Sequence, residues 1–492
     1  MIERDLSSEQ CPLLTDSGTG SGAYCRNEVS EPTSARPLSK ALTMRDGIGV
    51  SVAIIVGSGI FASPGQILSH VGSTGLSLVV WIVAGIVALC SSLVYAELSP
   101  AIPTAGGDRD YISLAFGPSV AFAYTLSMFF VIRPGAQGLL TVTFARYVSA
   151  ALWPEETISD GEWRVKLIAI AGLSSVAALN CVGVKETSIV QGSLTVSKLL
   201  LLLLLAAAAV SSLTSAEGRG DAAQNLGPGA FSGSDVAGLG PALVGALWAF
   251  DGWNGMAFLA EELHDPRSLP VIIVLSMLTV AGLYVAINLC YCAALPAEAI
   301  LESTTIAVDM ASSSLGPWAF YSAAVLVAMS ALGAANGSIM CGSRLFFAAA
   351  RDGELPRALA AVSPGGRTPY AAILANLAVS VGLLCLPGSS FDSLVAYFGA
   401  ASWLWYGTTG ASLVKLRRDR PNLRRVFRCP LACAALTVCV SAFLVGSSVW
   451  DARTRRASVW SLCLAVAPLF LHAAHLRIKR PTAPDAAAEP FP

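Results

Sequence analysis

The chain has 492 residues, of which 54% are hydrophobic and only 13% are charged, whereas about 25% are charged in a typical soluble domain. Apolar stretches of about 20 residues recur along its length, which is typical of membrane-spanning helices. The low charge content argues against a soluble enzyme, and a net charge of -1 argues against a nucleic-acid-binding protein. The composition therefore predicts an all-α integral membrane protein.

The chain begins with a polar segment, residues 1–44, which is predicted to be a disordered cytosolic tail. It lacks an apolar leader, so no cleavable signal peptide is expected. Residues 45–479 are predicted to form the membrane domain and residues 480–492 a cytosolic C-terminal tail. Twelve apolar segments are predicted to span the bilayer: 45–69, 76–100, 117–147, 165–182, 187–212, 238–262, 270–294, 313–346, 369–387, 391–414, 430–449 and 457–476.

The distribution of Lys and Arg predicts the orientation of the chain. Seven basic residues lie in the run 415–428, while acidic residues are concentrated after the third and seventh segments. Because basic loops remain in the cytosol, both termini are expected there. The loop that carries Arg453, Arg455 and Arg456 does not follow this rule. The basic run is interpreted as a topology determinant and a contact for lipid headgroups rather than as a regulatory site.

Glycine and polar residues interrupt the first and sixth segments at matching positions. Gly57, Ser58 and Gly59 lie in the middle of the first segment, and the run 251–255, DGWNG, lies in the middle of the sixth. Glycine disfavours a continuous helix by about 1 kcal/mol relative to alanine. If segments 1–5 and 6–10 are inverted repeats, the two breaks face each other near the centre of the membrane, as in secondary transporters. Close helix packing through glycine is the alternative explanation.

Such a pair of breaks has a chemical consequence. A half-helix that begins after Gly59 offers N–H groups to a carboxylate. Half-helices that end near Ile55 and Trp248 are expected to leave unpaired carbonyls for an ammonium group. The pattern therefore indicates a binding site for an α-amino acid. The sequence contains no Cys-x-x-Cys pair and no metal-spaced histidines, so neither a metal nor another cofactor is expected.

Several motifs together resemble the L-type amino acid transporters, the light chains of heteromeric transporters in the amino acid–polyamine–organocation superfamily. The similarity covers residues 45–415. Its motifs are VGSGIFASP at 56–64, YAEL at 95–98, IPTAGGD at 102–108, FGP at 116–118, AANG at 334–337 and RLF at 344–346. The run WAFDGWN at 248–254 is most similar to the b-zero-plus type, which exchanges cationic amino acids and cystine against neutral ones. The resemblance implies twelve transmembrane helices in a 5+5 inverted repeat of the leucine-transporter type, with helices one and six broken.

The resemblance also implies a substrate site. The substrate carboxylate would bind to Ser58 and Gly59, and the carbonyls of Ile55, Trp248 and Ala249 would bind its ammonium group. Trp248 would also form an aromatic gate over the site.

Two charged residues inside the apolar segments, Asp251 and Lys198, are functional candidates. In the b-zero-plus type an aspartate at the position of Asp251 favours substrates with a cationic side chain, and an ionisable group in the membrane is a functional candidate by default. Its alternative role is a helix cap. The resemblance places Lys198 where sodium-independent members keep an ammonium group in place of sodium; the alternative is that Lys198 extends to the membrane surface. Arg133 receives no role.

The sequence therefore predicts a sodium-independent transporter, and in particular an exchanger, of cationic and/or neutral α-amino acids that works by alternating access. It is expected to reside in the plasma membrane and not to be an enzyme. A transporter of neutral amino acids alone, or an amino acid sensor of the same fold, is the alternative. The loop at 147–156 lacks the cysteine with which the family binds its heavy chain. A disulfide-linked heavy chain is therefore doubtful, although a noncovalent partner is compatible with the sequence.

Overall fold

The computed structural model of the chain consists mostly of long apolar helices. The structure describes residues 43–104, 106–156, 159–258, 260, 263–363 and 368–478. Most of the predicted tails, 1–42 and 479–492, lie outside the described residues. The described residues belong to one unit, 39–492, and contain no β-strand. The prediction of an all-helical protein is confirmed for this part of the chain.

The α-helices are numbered here in chain order. They are α1 Met44–Ile55, α2 Gly59–Ala62, α3 Pro64–Val71, α4 Thr74–Ala101, α5 Asp108–Phe116, α6 Pro118–Ser127, α7 Arg133–Leu152, α8 Trp163–Val182, α9 Val184–Thr214, α10 Ala216–Leu226, α11 Leu239–Ala249, α12 Gly255–Phe258, α13 Leu269–Ala294, α14 Ala297–Glu302, α15 Ile306–Leu315, α16 Pro317–Arg351, α17 Tyr370–Cys385, α18 Phe391–Asp419, α19 Leu431–Trp450 and α20 Arg455–Ile478. A π-helix, Met128–Ile132, joins α6 to α7, and 3₁₀-helices occupy Pro266–Ser268 and Arg357–Ala360.

Eight helical stretches in the described residues are long and apolar enough to cross a membrane. They are Met44–Ala62, Thr74–Ala101, Pro118–Leu152, Trp163–Val182, Val190–Thr214, Pro266–Ala294, Pro317–Arg351 and Leu431–Trp450. The chain is thus a multi-pass membrane protein. Each of the twelve predicted segments overlaps a helix or a helix broken into pieces, but the count of twelve spans stays a prediction.

Local sequence explains where several helices begin. Thr43 and Asp46 form a capping box at the start of α1, and the hydroxyl of Ser73 accepts a hydrogen bond from the N–H of Leu76 in α4. Proline occupies the first turn of α3, α6, α13 and α16, where its missing N–H costs no intrahelical hydrogen bond. α1 packs against α13 and α16, and α7 packs against α16, so the broken first helix lies among long helices.

Candidate functional site

The predicted break in the first segment is present in the structure. α1 ends at Ile55 and α2 begins at Gly59, so residues 56–58 are not helical. Ser58 is fully buried, and its hydroxyl has no hydrogen-bond partner among the described residues. Because the first N–H groups of a helix lack intrahelical partners, the start of α2 presents hydrogen-bond donors next to this hydroxyl.

The predicted break in the sixth segment is also present. α11 ends at Ala249 and α12 begins at Gly255, so residues 250–254 are not helical. Gly252 has φ = 117°, a conformation that favours glycine. A Cβ atom at this position would lie 2.9 Å from the side chain of Ile54. This break therefore requires glycine and lies directly against the end of α1.

The two breaks meet each other. A Cβ atom on Gly59 would lie 2.4 Å from the Cα atom of Ala249, so only glycine allows this approach of the two chain segments. The hydroxyl of Tyr284 in α13 lies 3.0 Å from the carbonyl oxygen of Ile55 and 2.9 Å from that of Ala249, and it donates to both. Tyr284 therefore joins the ends of α1 and α11.

The expectation of unpaired carbonyls at these helix ends is wrong. The carbonyl oxygen of Ile55 also accepts the N–H of Gly57 at 2.7 Å, and that of Trp248 accepts the N–H of Asp251 at 3.0 Å. The turns that follow the two helices supply these N–H groups. Since a carbonyl oxygen has two acceptor positions, that of Ala249, whose recorded partner is Tyr284, has one acceptor position left.

All six residues predicted to bind substrate line one cavity: Ile55, Ser58, Gly59, Trp248, Ala249 and Asp251. A second cavity of about 350 Å³ adjoins it, and Arg133, Asp251 and Asn254 line both. Trp405 and Tyr406 of α18 add aromatic walls to the second cavity.

Asp251 faces both cavities rather than capping α12. Its carboxylate accepts a hydrogen bond from the hydroxyl of Tyr406, and the N–H of Gly255, the first residue of α12, is bonded to the carbonyl of Gly252 instead. Its side-chain hydrogen-bond partner is thus neutral, and the guanidinium group of Arg133 lies within electrostatic range of it. A carboxylate held in this way is available to a cation in the cavity.

Trp248 lies at the cavity wall, with aromatic and charged side chains behind it. Its ring packs edge-on against Phe391, with 5.2 Å between the ring centroids. The guanidinium group of Arg146 lies 4.6 Å over the Phe391 ring and pairs with Asp160 at 2.6 Å. Burial raises the pKa of the Asp160 carboxyl, but the hydrogen bonds and the charge of Arg146 hold it below its usual value. Trp248 is therefore supported, through Phe391, by an ion pair between α7 and the loop that follows it.

Lys198 lies at the break of the first helix and does not extend to the membrane surface. It is 4% exposed, and its Nζ donates to the carbonyl oxygens of Ala53 and Val56 at 2.6 Å each. The hydroxyl of Ser330 in α16 donates to the neighbouring carbonyl of Gly57 at 3.2 Å. α1, α9 and α16 thus meet where the resemblance implies an ammonium group in place of sodium.

Arg133 is the residue of the cavity to which the sequence analysis gave no role. Its side chain lines both cavities, and within the described part of the chain it makes no hydrogen bond or ion pair. The centroid of the Phe258 ring lies 5.8 Å from the guanidinium carbon. Arg133, like Asp251, is a charge inside an apolar segment, which is the sequence signal that marks it as a functional candidate. Tyr284 offered no such signal, because a tyrosine in an apolar helix resembles a core residue.

The chain was compared with known proteins. The amino acid permease family matches residues 42–471. The mouse b(0,+)-type amino acid transporter 1 is 32% identical over 83% of this chain and 82% of its own length. The mouse large neutral amino acids transporter small subunit 2 is 34% identical over 88% and 80%, and the human cystine/glutamate transporter is 32% identical over 84% and 81%.

These relatives are named as transporters, which confirms the prediction that the chain is not an enzyme. The family match covers most of the chain, and so do the alignments with the relatives. The chain therefore belongs to the amino acid permease family and, within it, to the L-type amino acid transporters.

Proposed function

We propose that this protein exchanges α-amino acids across a membrane, independently of sodium, by alternating access. One observation carries the proposal: two broken helices meet at a cavity that all six predicted substrate residues line. The family membership and the transporter names of the relatives support it. The same proposal includes twelve spans over residues 45–479, arranged as a 5+5 inverted repeat with both termini in the cytosol. It also includes the plasma membrane as the location of the protein and a noncovalent partner chain.

The substrate backbone binds between the two breaks. Its carboxylate accepts hydrogen bonds from the unpartnered hydroxyl of Ser58 and from the N–H groups at the start of α2, near Gly59. Its ammonium group donates to the free acceptor position of the Ala249 carbonyl. The carbonyls of Ile55 and Trp248 contribute when the turns that now occupy them open.

Asp251 determines the preference for the side chain. A carboxylate whose partner is the neutral hydroxyl of Tyr406 attracts the cationic end of arginine or lysine. The matched experiment replaces Asp251 by Asn and, as a control, the exposed Asp392 by Asn. We expect Asp251→Asn to raise the half-saturating arginine concentration about tenfold and to change that of leucine much less. Equal effects on both amino acids would show that Asp251 does not select charge and would leave a transporter of neutral amino acids.

Lys198 explains the independence from sodium. Its ammonium group binds the carbonyls of Ala53 and Val56, which a sodium ion would otherwise coordinate, and it supplies a fixed positive charge. No bound ion is then required to stabilise the break.

The test is counterflow in liposomes that contain the purified protein. Liposomes loaded with leucine are expected to accumulate labelled arginine at the same rate in sodium and in choline buffer, and empty liposomes are not. Uptake into empty liposomes would contradict exchange, and dependence on sodium would contradict the role of Lys198. Binding without uptake would favour an amino acid sensor.

A second candidate substrate class carries an acidic group on its side chain. Arg133 presents a guanidinium group without a recorded partner to the same cavities, and one relative is named as a cystine/glutamate transporter. Inhibition of leucine uptake by glutamate and by cystine, measured with the native chain and with Arg133→Gln, tests this candidate.

A further inference from the structure

The π-helix Met128–Ile132 interrupts the third predicted segment directly before Arg133. Pro134 has no N–H group, so the carbonyl of Phe130, four residues earlier, cannot form its usual intrahelical hydrogen bond. The N–H of Arg133 donates to the carbonyl of Met128, five residues earlier, as is characteristic of a π-helix. Proline thus explains why the segment is irregular at this point.

Side chains from two other helices pair with the carbonyls in this irregular stretch. The hydroxyl of Tyr397 in α18 donates to the carbonyl of Phe130 at 3.2 Å, and the amide of Asn376 in α17 donates to that of Phe129 at 3.4 Å. In a membrane a carbonyl without a partner is costly. These two side chains therefore stabilise a backbone conformation that the segment cannot stabilise alone.

A buried network orients the amide of Asn376. Its oxygen accepts from Nε2 of Gln137 at 2.8 Å, and the oxygen of Gln137 accepts from the hydroxyl of Ser380 at 2.7 Å. Gln137 lies in α7, one turn after Arg133, and it and Ser380 are fully buried. The network thus joins α17 to the π-helix before Arg133 and to α7 after it.

The π-helix determines the direction of Arg133. Each residue advances a helix by roughly 100°, so one extra residue in the turn before Arg133 rotates its side chain by that angle relative to a continuous helix. In the observed register the side chain lies over Gly342 of α16, where a Cβ atom would be 3.4 Å from its Cγ and Cδ, and it lines both cavities. Without the extra residue it would turn away from the cavities.

We propose that Asn376 and Tyr397 are positioning residues that set the charge selectivity of the transporter through Arg133. They do not line either cavity in the described structure. They hold the π-helix, and the π-helix holds the guanidinium group beside Asp251. The inference rests on the proposed function, because it concerns which amino acid side chains the cavities accept.

The test measures the concentrations of arginine and of leucine that halve the uptake of labelled leucine by the full chain in liposomes, and takes their ratio. Arg133→Gln removes a cation next to Asp251 and is expected to shift this ratio about tenfold in favour of arginine. Asn376→Leu and Tyr397→Phe are expected to shift it in the same direction, by about threefold. The matched control is Asn288→Leu, since Asn288 is also a buried asparagine that donates to a backbone carbonyl, that of Tyr284 at 2.8 Å.

A purely structural role for Asn376 and Tyr397 would lower the uptake rate or the unfolding midpoint without moving the ratio, and that result would overturn the inference. It would also be overturned if Arg133→Gln left the ratio unchanged, or if Asn288→Leu shifted it as much as Asn376→Leu. Absence of leucine uptake by the native chain is a different result, because it would contradict the proposed function itself.

Discussion

Two cations lie inside the helical core, and their surroundings are opposite. The ammonium group of Lys198 donates to two carbonyls at 2.6 Å each, at the point where the first helix breaks. The guanidinium group of Arg133 has no recorded hydrogen bond or ion pair in the described residues and lines two cavities. Both charges are costly inside a membrane, but only that of Lys198 is held by hydrogen bonds in the described residues.

This difference separates a charge that belongs to the scaffold from one that is available to a ligand. Lys198 binds carbonyls at the C-terminal end of α1, where the helix dipole favours a positive charge. Its removal affects the helix break itself. Arg133 makes no hydrogen bond or ion pair in the described residues and only a distant contact with the Phe258 ring, so its removal should alter recognition and leave the fold intact.

The largest expected effect follows the removal of the ammonium group of Lys198. Lys198→Met leaves the carbonyls of Ala53 and Val56 without their charged donor, and hydrogen bonds to charged groups contribute about 1.5–3 kcal/mol each. We expect amino acid uptake to fall by about a hundredfold or more and the unfolding midpoint to fall with it. The control is Lys166→Met, because Lys166 donates to one carbonyl, that of Leu386, at an exposed position. Uptake near that of the native chain would show that Lys198 is not part of the scaffold.

Removal of the neutral donor at the same breaks, the hydroxyl of Tyr284, should have a smaller effect. Tyr284→Phe removes the hydroxyl that joins the carbonyls of Ile55 and Ala249, and one lost buried hydrogen bond costs about 1–3 kcal/mol. We expect leucine uptake to fall about tenfold. Tyr111→Phe, which removes a buried hydroxyl bonded to Ser99 at 3.1 Å, is the control. Similar losses in both variants would argue that Tyr284 has no particular role at the breaks.

The sequence predicted those parts of the site that depend on unusual residues within an apolar segment. The run of Gly57, Ser58 and Gly59 stands out because closely spaced glycines disfavour a continuous helix, and Asp251 stands out because a charge is costly in an apolar segment. The breaks lie at these residues. The partners of these residues could not be predicted in this way. Tyr406 lies 155 residues from Asp251, and Tyr284 lies 229 residues from Ile55, so each meets its partner only through the tertiary packing of helices.

The π-helix is a feature that the segment limits of 117–147 did not reveal. Pro134 was visible in the sequence, but proline permits a kink, a break or a π-helix. Which of these forms depends on the donors that neighbouring helices supply, here Asn376 and Tyr397. Since Arg133 directly follows this stretch, its orientation could not be predicted either.

The surroundings of a third cation, Arg146, are intermediate between those of Lys198 and Arg133. Arg146 is paired with Asp160 in the loop between α7 and α8, beside the ring of Phe391. Because the pKa of Asp160 is lowered in the folded protein, its stabilising contribution is complete above the unfolded pKa, near pH 4, and is lost as the pH falls through the folded pKa. We expect Asp160→Asn to lower the free energy of unfolding by about 1–2 kcal/mol at neutral pH.

The difference between the native chain and Asp160→Asn should shrink as the pH falls below about 4. Chemical unfolding in detergent over a range of pH measures it. A difference that stayed constant down to the lowest pH would show that the carboxylate charge does not stabilise Arg146. Asp265→Asn, a change at an exposed loop position, is the control.

The smallest expected effect is that of Arg133 on the stability of the protein. Arg133→Met keeps an unbranched apolar side chain but removes a guanidinium group that makes no hydrogen bond or ion pair in the described residues. No hydrogen bond is lost, so we expect the free energy of unfolding to change by less than about 0.5 kcal/mol or to increase, whereas Lys198→Met lowers it markedly. Unfolding of both variants in the same detergent measures this contrast. A loss of stability in Arg133→Met as large as that in Lys198→Met would mean that Arg133 is also bound by the scaffold, and its charge would then not be free to recognise a substrate.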